Sequence, residues 1–278
     1  DHICRDAEPK VLIHERALAE HVPAHLDRYS VSDDEGDGDT GTYAGLLDAG
    51  TLDGFAAVDE DDPFCIMYTS GTTGRPKGAI LTHLGFVHSC IHWIERLGLT
   101  RGVSTALVIP ASHVSGLGGV VMPMLALGGR IIMVRAFKAA TFIDLLARER
   151  VEHALLVPAM YNLCLRSDAF LAADLSAWRW AVYGGAPMPE PTIRRFAEVL
   201  PHLSMCNAYG ATETTSPVTI MAPGVGVERS DSIGTVVDCG DVRIMDEKGR
   251  EVPAGEPGEL FIAGPMVSPG YWRHEEAT

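Results

Sequence analysis

Positive charge is scarce in this 278-residue chain: 22 lysines and arginines stand against 37 aspartates and glutamates, a formal net charge of −15. That balance argues against a nucleic-acid partner, whose phosphates need clustered Lys and Arg. Any nucleotide site must therefore gather its positive charge locally. No apolar run approaches the roughly 18 residues of a membrane-spanning helix, so no transmembrane segment is expected, and no signal peptide opens the chain. The six cysteines, at 4, 65, 90, 164, 206 and 239, include no Cys-x-x-Cys pair. Several lie in apolar runs, the usage of buried free thiols in a reducing cytosol. There is no Gly-x-Ser-x-Gly elbow, so Ser112 and Ser115 beside His113 do not read as a hydrolase triad. A Walker loop is missing too, because Pro76 stands where its second glycine would and Gly78, not Ser or Thr, follows Lys77.

The length allows one large or two small domains. Residues 11–13 are expected to form a short strand and 14–26 a short helix. Residues 27–62 hold twelve acidic side chains against one basic one, Arg28, and read as a solvated acidic loop linking a front section to the rest. From residue 64 onward, apolar runs alternate with helical periodicity. The pattern predicts strands at 64–69, 104–109, 130–134, 153–157, 178–183 and 204–208, and helices at 83–97, 116–127, 138–149, 158–167 and 189–200. Such alternation predicts an α/β fold: a layered, mostly parallel sheet with flanking helices, and ligands at the carboxyl ends of its strands. After about Pro217 the runs 217–221, 241–246 and 258–263 are short, β-like and separated by Gly and Pro. Asp246-Glu247-Lys248-Gly249 suits a hairpin turn. The expected division is a partial front section with acidic linker (1–62), a nucleotide-binding α/β section (63–216) and a β-rich subdomain (217–278) incomplete at its C-terminal edge.

Five runs carry the chemistry. In Tyr68-Thr69-Ser70-Gly71-Thr72-Thr73-Gly74-Arg75-Pro76-Lys77-Gly78, small residues let backbone N–H groups approach a polyphosphate, hydroxyls add donors, and Lys77 supplies a point charge. In Tyr209-Gly210-Ala211-Thr212-Glu213-Thr214-Thr215, which follows Asn207-Ala208 at a strand end, Glu213 suits Mg²⁺ and Thr212 can donate to an α-phosphate. Tyr209 can lie against adenine. Taken alone, that run is also an ordinary capped helix start. Gly184-Gly185-Ala186-Pro187-Met188-Pro189 is a strand-to-helix turn. Pro110-Ala111-Ser112-His113-Val114-Ser115-Gly116 holds a lone loop histidine. Gly258–Gly264 with Gly270-Tyr271-Trp272 reads as a strand and turn. His88 and His92, four apart on a helix, could share a metal. No acidic partner of the zinc-protease pattern accompanies them, so packing or surface roles are expected.

The first two runs, in this order, resemble the signatures of the AMP-forming adenylating enzymes: acyl-CoA synthetases, firefly luciferase and peptide-synthetase adenylation domains. The likeness runs from about residue 64 to 278. Tyr183-Gly184-Gly185-Ala186-Pro187-Met188-Pro189 and Thr212–Ser216 lean toward the CoA ligases. The resemblance implies ATP, Mg²⁺ and CoA as cofactors and a carboxylic acid as substrate. The acid would attack the α-phosphorus of ATP, giving acyl-adenylate and pyrophosphate, and a thiol would then displace AMP. Thr212, Glu213 and Lys77 would be catalytic. Thr69–Gly74, Gly184–Pro187 and Asn207–Gly210 would bind nucleotide, while His113 and Gly116 would border the acyl pocket. Ser112 stands where the family often has an aromatic residue, a departure that bears on acid preference. Two alternatives are a carrier-protein thiol as acceptor and a nucleotide-binding module without full catalysis. The chain opens at Asp1 without Met and stops at Thr278, which reads as a piece of a longer protein. The family's ribose-binding Asp and its small C-terminal domain with a catalytic Lys would then lie beyond residue 278, and the piece would turn over poorly.

Overall fold

A computed structural model describes residues 2–23, 26–31, 43–47, 50, 54–69 and 74–278. After the helix His2–Ala7, β1 (Val11–Glu15) pairs in parallel with β2 (Asp27–Val31), with the 3-10 helix Arg16–His21 between them. Two expectations change here. The helix foreseen over 14–26 is only a short 3-10 turn, because His14 and Glu15 are extended in β1. The acidic stretch foreseen as a loop begins with a strand, whose Tyr29–Val31 gain their pairing from β1 and not from local signals. Most of the remaining acidic stretch lies outside the described residues.

β3 (Pro63–Thr69) and β4 (Lys77–Thr82) form an antiparallel hairpin, with Thr69 opposite Lys77 and Tyr68 opposite Gly78. β4 was not foreseen: Gly78-Ala79 has low β-propensity, so the run read as the end of a loop. Its other edge is satisfied from far along the chain, Ile80 N–H donating to Gly270 O at 3.0 Å and Trp272 N–H to Gly78 O at 2.7 Å. The helix His83–Leu97 spans its predicted residues, opened by Thr82, whose hydroxyl accepts from Gly85 N–H at 3.1 Å.

The main sheet has seven strands. β5 (Ser104–Leu107), β6 (Arg130–Met133), β7 (His153–Leu156), β8 (Trp180–Gly184) and β9 (Ser204–Tyr209) are parallel, and β10 (Thr219–Ile220) and β11 (Thr235–Val236) are antiparallel. Their order is β11-β10-β9-β8-β7-β5-β6. The expected α/β architecture with a mostly parallel sheet is what forms. The first two strands after residue 217 extend this sheet. β12 (Asp241–Met245) and β13 (Glu259–Ala263) pair apart as a hairpin. Within it Asp246–Gly249 turns the chain, Asp246 Oδ1 accepting from the N–H groups of Lys248 and Arg250, both at 2.9 Å.

Helices cover both faces of the sheet, each with its own apolar layer. On one side Phe142, Leu146, Tyr161, Trp178 and Phe196 interlock. Trp178 stacks on Tyr161 at 6.2 Å between ring centroids and meets Phe196 edge-on. Their polar tips are satisfied inside the layer: Tyr161 Oη donates to Val182 O at 2.8 Å and Trp178 Nε1 to Trp180 O at 3.1 Å. On the other side Trp93 and Leu97 pack on Val120 and Met124, from a continuous helical stretch with one π turn at Leu117–Val121.

His153 sits within the sheet, fully buried, its Nδ1 at 2.8 Å from Thr105 Oγ1 and its Nε2 without a hydrogen-bond partner among the described residues. Burial pushes its pKa from 6.5 down to about 4, so the folded imidazole is neutral. Between these values the unfolded chain binds a proton that the folded chain refuses, so stability must fall as pH drops through that window. His153→Gln is expected to flatten the pH dependence of the urea midpoint between pH 7 and 4, by up to about 3 kcal/mol in unfolding free energy. Equal slopes for the two proteins would refute this.

Candidate active site

The strand order reverses direction at β5, which leads to β6 on one side and is flanked by β7 on the other. In open α/β sheets the crevice at such a switch point is where ligands bind. A cavity of about 380 Å³ opens there. Ile109, Pro110 and His113 reach it from beyond β5, Val157 from beyond β7, Gly184 and Gly185 from the end of β8, and Gly210–Thr212 from beyond β9. Trp93, Leu155, Tyr183 and Ala208 also line it. The Tyr183 hydroxyl is buried with no hydrogen-bond partner among the described residues, and burial pushes its pKa up to about 12. A second cavity of about 450 Å³ shares Gly185, Ala208 and Gly210 with the first. Its own wall adds Ala186, Pro187, Asn207 and Tyr209, together with Asp231–Ile233.

Local chemistry explains how these loops hold their shape. A Cβ on Gly184 would stand 2.5 Å from Ala208 O, so only glycine lets β8 leave the sheet this close to β9. Asn207 Nδ2 donates to Ser232 O at 3.1 Å, tying the β9 end to the loop before β11. His113 opens the helical stretch from Val114, its Nδ1 accepting from Ser115 N–H at 3.3 Å and lying 2.8 Å from Ser115 Oγ. Gly116 stands behind the wall rather than in it: it is buried, and a Cβ there would meet Pro110 O at 2.1 Å.

Lys77 and Glu213, 136 positions apart in the sequence, meet through a third residue. Tyr271 Oη donates to Glu213 Oε1 at 2.5 Å, and Lys77 Nζ lies 4.5 Å from the centre of the Tyr271 ring. Burial and the Glu213 acceptor push the Tyr271 phenol up to about 12, which keeps it a donor. Ser268 N–H donates to Glu213 O at 2.7 Å, and Thr215 Oγ1 to Met266 O at 2.8 Å. Ser216 O accepts from Ser89 Oγ and, at 3.3 Å, from Trp93 Nε1. Thr212 begins the 3-10 turn Thr212–Thr214 on the cavity wall. Of the Gly/Thr loop, Ser70, Gly71, Thr72 and Thr73 lie outside the described residues. Thr69 and Gly74 are described, Thr69 Oγ1 donating to Lys77 O at 3.4 Å across the loop's neck. The front helix braces that neck: Tyr68 Oη donates to Asp6 Oδ2 at 2.5 Å, His2 Nε2 lies 3.0 Å from Pro76 O, and Trp272 Nε1 donates to Asp6 O at 3.1 Å.

A family model described as AMP-binding enzyme matches residues 1–272. The chain belongs to the AMP-binding enzyme family. Feruloyl-CoA synthase of an Amycolatopsis species is 34% identical over the whole of this chain and 55% of its own length. The rice 4-coumarate–CoA ligase 1 is 34% identical over 83% of this chain and 42% of its own length. Among solved structures, the N-terminal domain of FACL13 from Mycobacterium tuberculosis superposes over all of this chain and 69% of that one, with a TM-score of 0.88 at 27% identity. This AMP-binding enzyme chain thus spans about half the length of the curated relatives it matches.

The motif residues therefore fall into two groups. Gly184–Pro187, Asn207–Thr212 and His113 surround the paired cavities, while Lys77 and Glu213 meet beside them. Tyr271, which joins Lys77 to Glu213, escaped reading by motifs. Its only signal was the run Gly270-Tyr271-Trp272, which looked like a plain turn. If the Tyr271–Glu213 bond orients the carboxylate, a double-mutant cycle with Tyr271→Phe and Glu213→Gln should give about 1 kcal/mol of coupling in urea unfolding. Additive effects would show that the contact carries no such energy.

Proposed function

We propose that the protein of which this chain forms part activates a carboxylic acid with ATP as an acyl-adenylate and passes the acyl group to CoA. The observation that carries this reading is the meeting of the β5, β8 and β9 exit loops on two adjoining cavities, with Lys77 and Glu213 joined at their side. In this reading Tyr209 and Gly184–Pro187 hold the adenine side, in the cavity that Asn207 also walls. The loop Thr69–Gly74 and Lys77 hold the polyphosphate. Thr212 donates to the α-phosphate, and His113 borders the acid. The acid's carboxylate oxygen forms a bond to the α-phosphorus as the bond to pyrophosphate breaks. A thiolate sulfur then bonds to the acyl carbon as AMP leaves. Holding the reactants in line and offsetting charge on the phosphate are what these residues contribute.

Mg²⁺ fits the donor set. Among the described residues the Glu213 carboxylate accepts one hydrogen bond, on Oε1, and forms no salt bridge, so it can also ligate a hard cation. A bound Mg²⁺ would screen the polyphosphate, and Glu213 is the residue that would hold it. The acceptor is read as CoA because the relatives' names carry it. The acid is read as an aromatic one, ferulate or coumarate in kind, from the same names and from the Trp93 and Tyr183 wall of the smaller cavity. A cytoplasmic location suits six unpaired cysteines, and among the described residues no helix is long and apolar enough to cross a membrane.

Carboxylate-dependent ATP–pyrophosphate exchange on the full-length gene product, with hydroxycinnamic, benzoic and fatty acids as a panel, tests the reading. Exchange with the hydroxycinnamic acids is expected, falling about 10²-fold or more in Glu213→Gln. Nucleotide binding without exchange for any acid would leave a nucleotide-binding protein instead. Product formation with a carrier-protein thiol and not with free CoA would replace the acceptor. Because the Tyr183 hydroxyl has no hydrogen-bond partner among the described residues, Tyr183→Phe should leave thermal stability unchanged or raised. A melting temperature clearly lowered in Tyr183→Phe would show that the hydroxyl is partnered after all.

A further inference from the structure

Away from the paired cavities, His88 and His92 on the helix His83–Leu97 meet Cys239, which lies in the turn between β11 and β12. One ligating atom from each of the three lies within 4.8 Å of the others. The histidines alone read as packing residues. What the sequence could not show is the thiol, 147 positions beyond His92, brought to the same spot by the fold.

The burial of His92 calls for an explanation. It is 2% exposed, and neither Nδ1 nor Nε2 has a hydrogen-bond partner among the described residues. A buried imidazole with both nitrogens idle is uncommon, since buried polar atoms are nearly always paired. Packing alone would be served better by an apolar side chain. An imidazole nitrogen with no hydrogen-bond partner can offer its lone pair to a metal. The two histidine rings stand 5.9 Å apart, centroid to centroid, one helical turn from each other.

The backbone that carries Cys239 is anchored. Arg96, one turn beyond His92, donates to Val236 O and pairs with Asp238 Oδ1 at 3.0 Å. Val237 N–H donates to Val218 O at 3.0 Å and Gly240 N–H to Val237 O at 2.9 Å. The Asp238 carboxylate also offsets the Arg96 charge, which would otherwise oppose a cation nearby. His88 is half-buried and Cys239 exposed, so both side chains can adjust. Tetrahedral zinc needs ligand atoms about 3.3–3.6 Å apart, a small contraction from the present spacing.

We propose that His88, His92 and Cys239 form a Zn²⁺ site, with two imidazoles and one thiolate as ligands and a fourth position open to water. Thiolate with imidazole is the donor set that suits this metal. The bound ion would fasten the turn before β12 to the helix His83–Leu97. Ser89 and Trp93 of that helix hold Ser216 O, so the ion would also steady the end of the Tyr209–Ser216 run.

The test is metal content and affinity of the whole chain, purified without chelator or affinity tag, against Cys239→Ser and His88→Asn. These are the two less buried ligands, so both variants should fold, which circular dichroism checks. One Zn²⁺ per chain is expected, with affinity at least about tenfold weaker in each variant. Co²⁺ replacement gives a second readout: a thiolate-to-metal charge-transfer band in the near ultraviolet that Cys239→Ser abolishes. Zn²⁺ binding that is absent, or equally tight in both folded variants, overturns the proposal, as does a Co²⁺ spectrum without the thiolate band.

Discussion

The backbone seam along the free edge of β4 is the interaction on which the site depends. Through it, Ile80 and Gly78 are bonded to Gly270 and Trp272, and Ser268 Oγ donates to Ile80 O at 2.7 Å. One consequence is that Tyr271 is delivered between Lys77 and Glu213. Another is that Ser268 N–H and Met266 O can hold the Glu213–Thr215 turn from its outer side. Without that seam β4 would be a two-stranded ribbon's edge, and isolated hairpins are marginal in water. The N-terminal helix adds a clasp, through Asp6 to Tyr68 and Trp272. Residues from the start, the first third and the end of the chain therefore form one structural knot around the loop's neck.

The main sheet solves a different problem. Its inner parallel strands β5, β7 and β8 are almost wholly buried, and the loops at their carboxyl ends meet around a common centre. The reversal at β5 opens the crevice, and the close approach of Gly184 to Ala208 lets the two cavities share a wall. Apolar side chains from the helical layer, Trp93 above all, reach through to that wall. The same indole bonds Ser216 O, so one residue belongs at once to the core, the cavity and the turn that carries Glu213. Packing and site geometry are in this way coupled through the helix His83–Leu97. A cavity walled by core residues is rigid, and rigidity is what positioning a reactant requires.

Positive charge is sparse in this acidic chain, and its placement matters. Most arginines here are committed to exposed ion pairs with nearby carboxylates, such as Arg148 with Asp144 and Arg194 with Glu190, which stabilise little. Lys77 is different, since it rests on an aromatic face beside a carboxylate that is already hydrogen-bonded. A cation held by a ring keeps its full charge and stays available to an anion, whereas one locked in a salt bridge does not.

The periodicity from residue 83 to 208 was enough to set five helices and five parallel strands within a residue or two at most ends, because each pairs a strong apolar pattern with clear stops. The same reading failed where pairing is non-local and side chains are small. Gly78-Ala79 hid β4, and Asp27-Arg28 hid β2. The motif residues were legible as candidates by type and order, and the structure brings Gly184–Pro187, Asn207–Thr212 and His113 around adjoining cavities. That Gly116 stands behind the wall, that Tyr271 joins Lys77 to Glu213, and that Cys239 reaches His88 and His92 was decided by tertiary structure alone. Sequence spacing encodes which residues share a helix face or a strand. Contacts across dozens to hundreds of positions exist only once sheets and helices have packed.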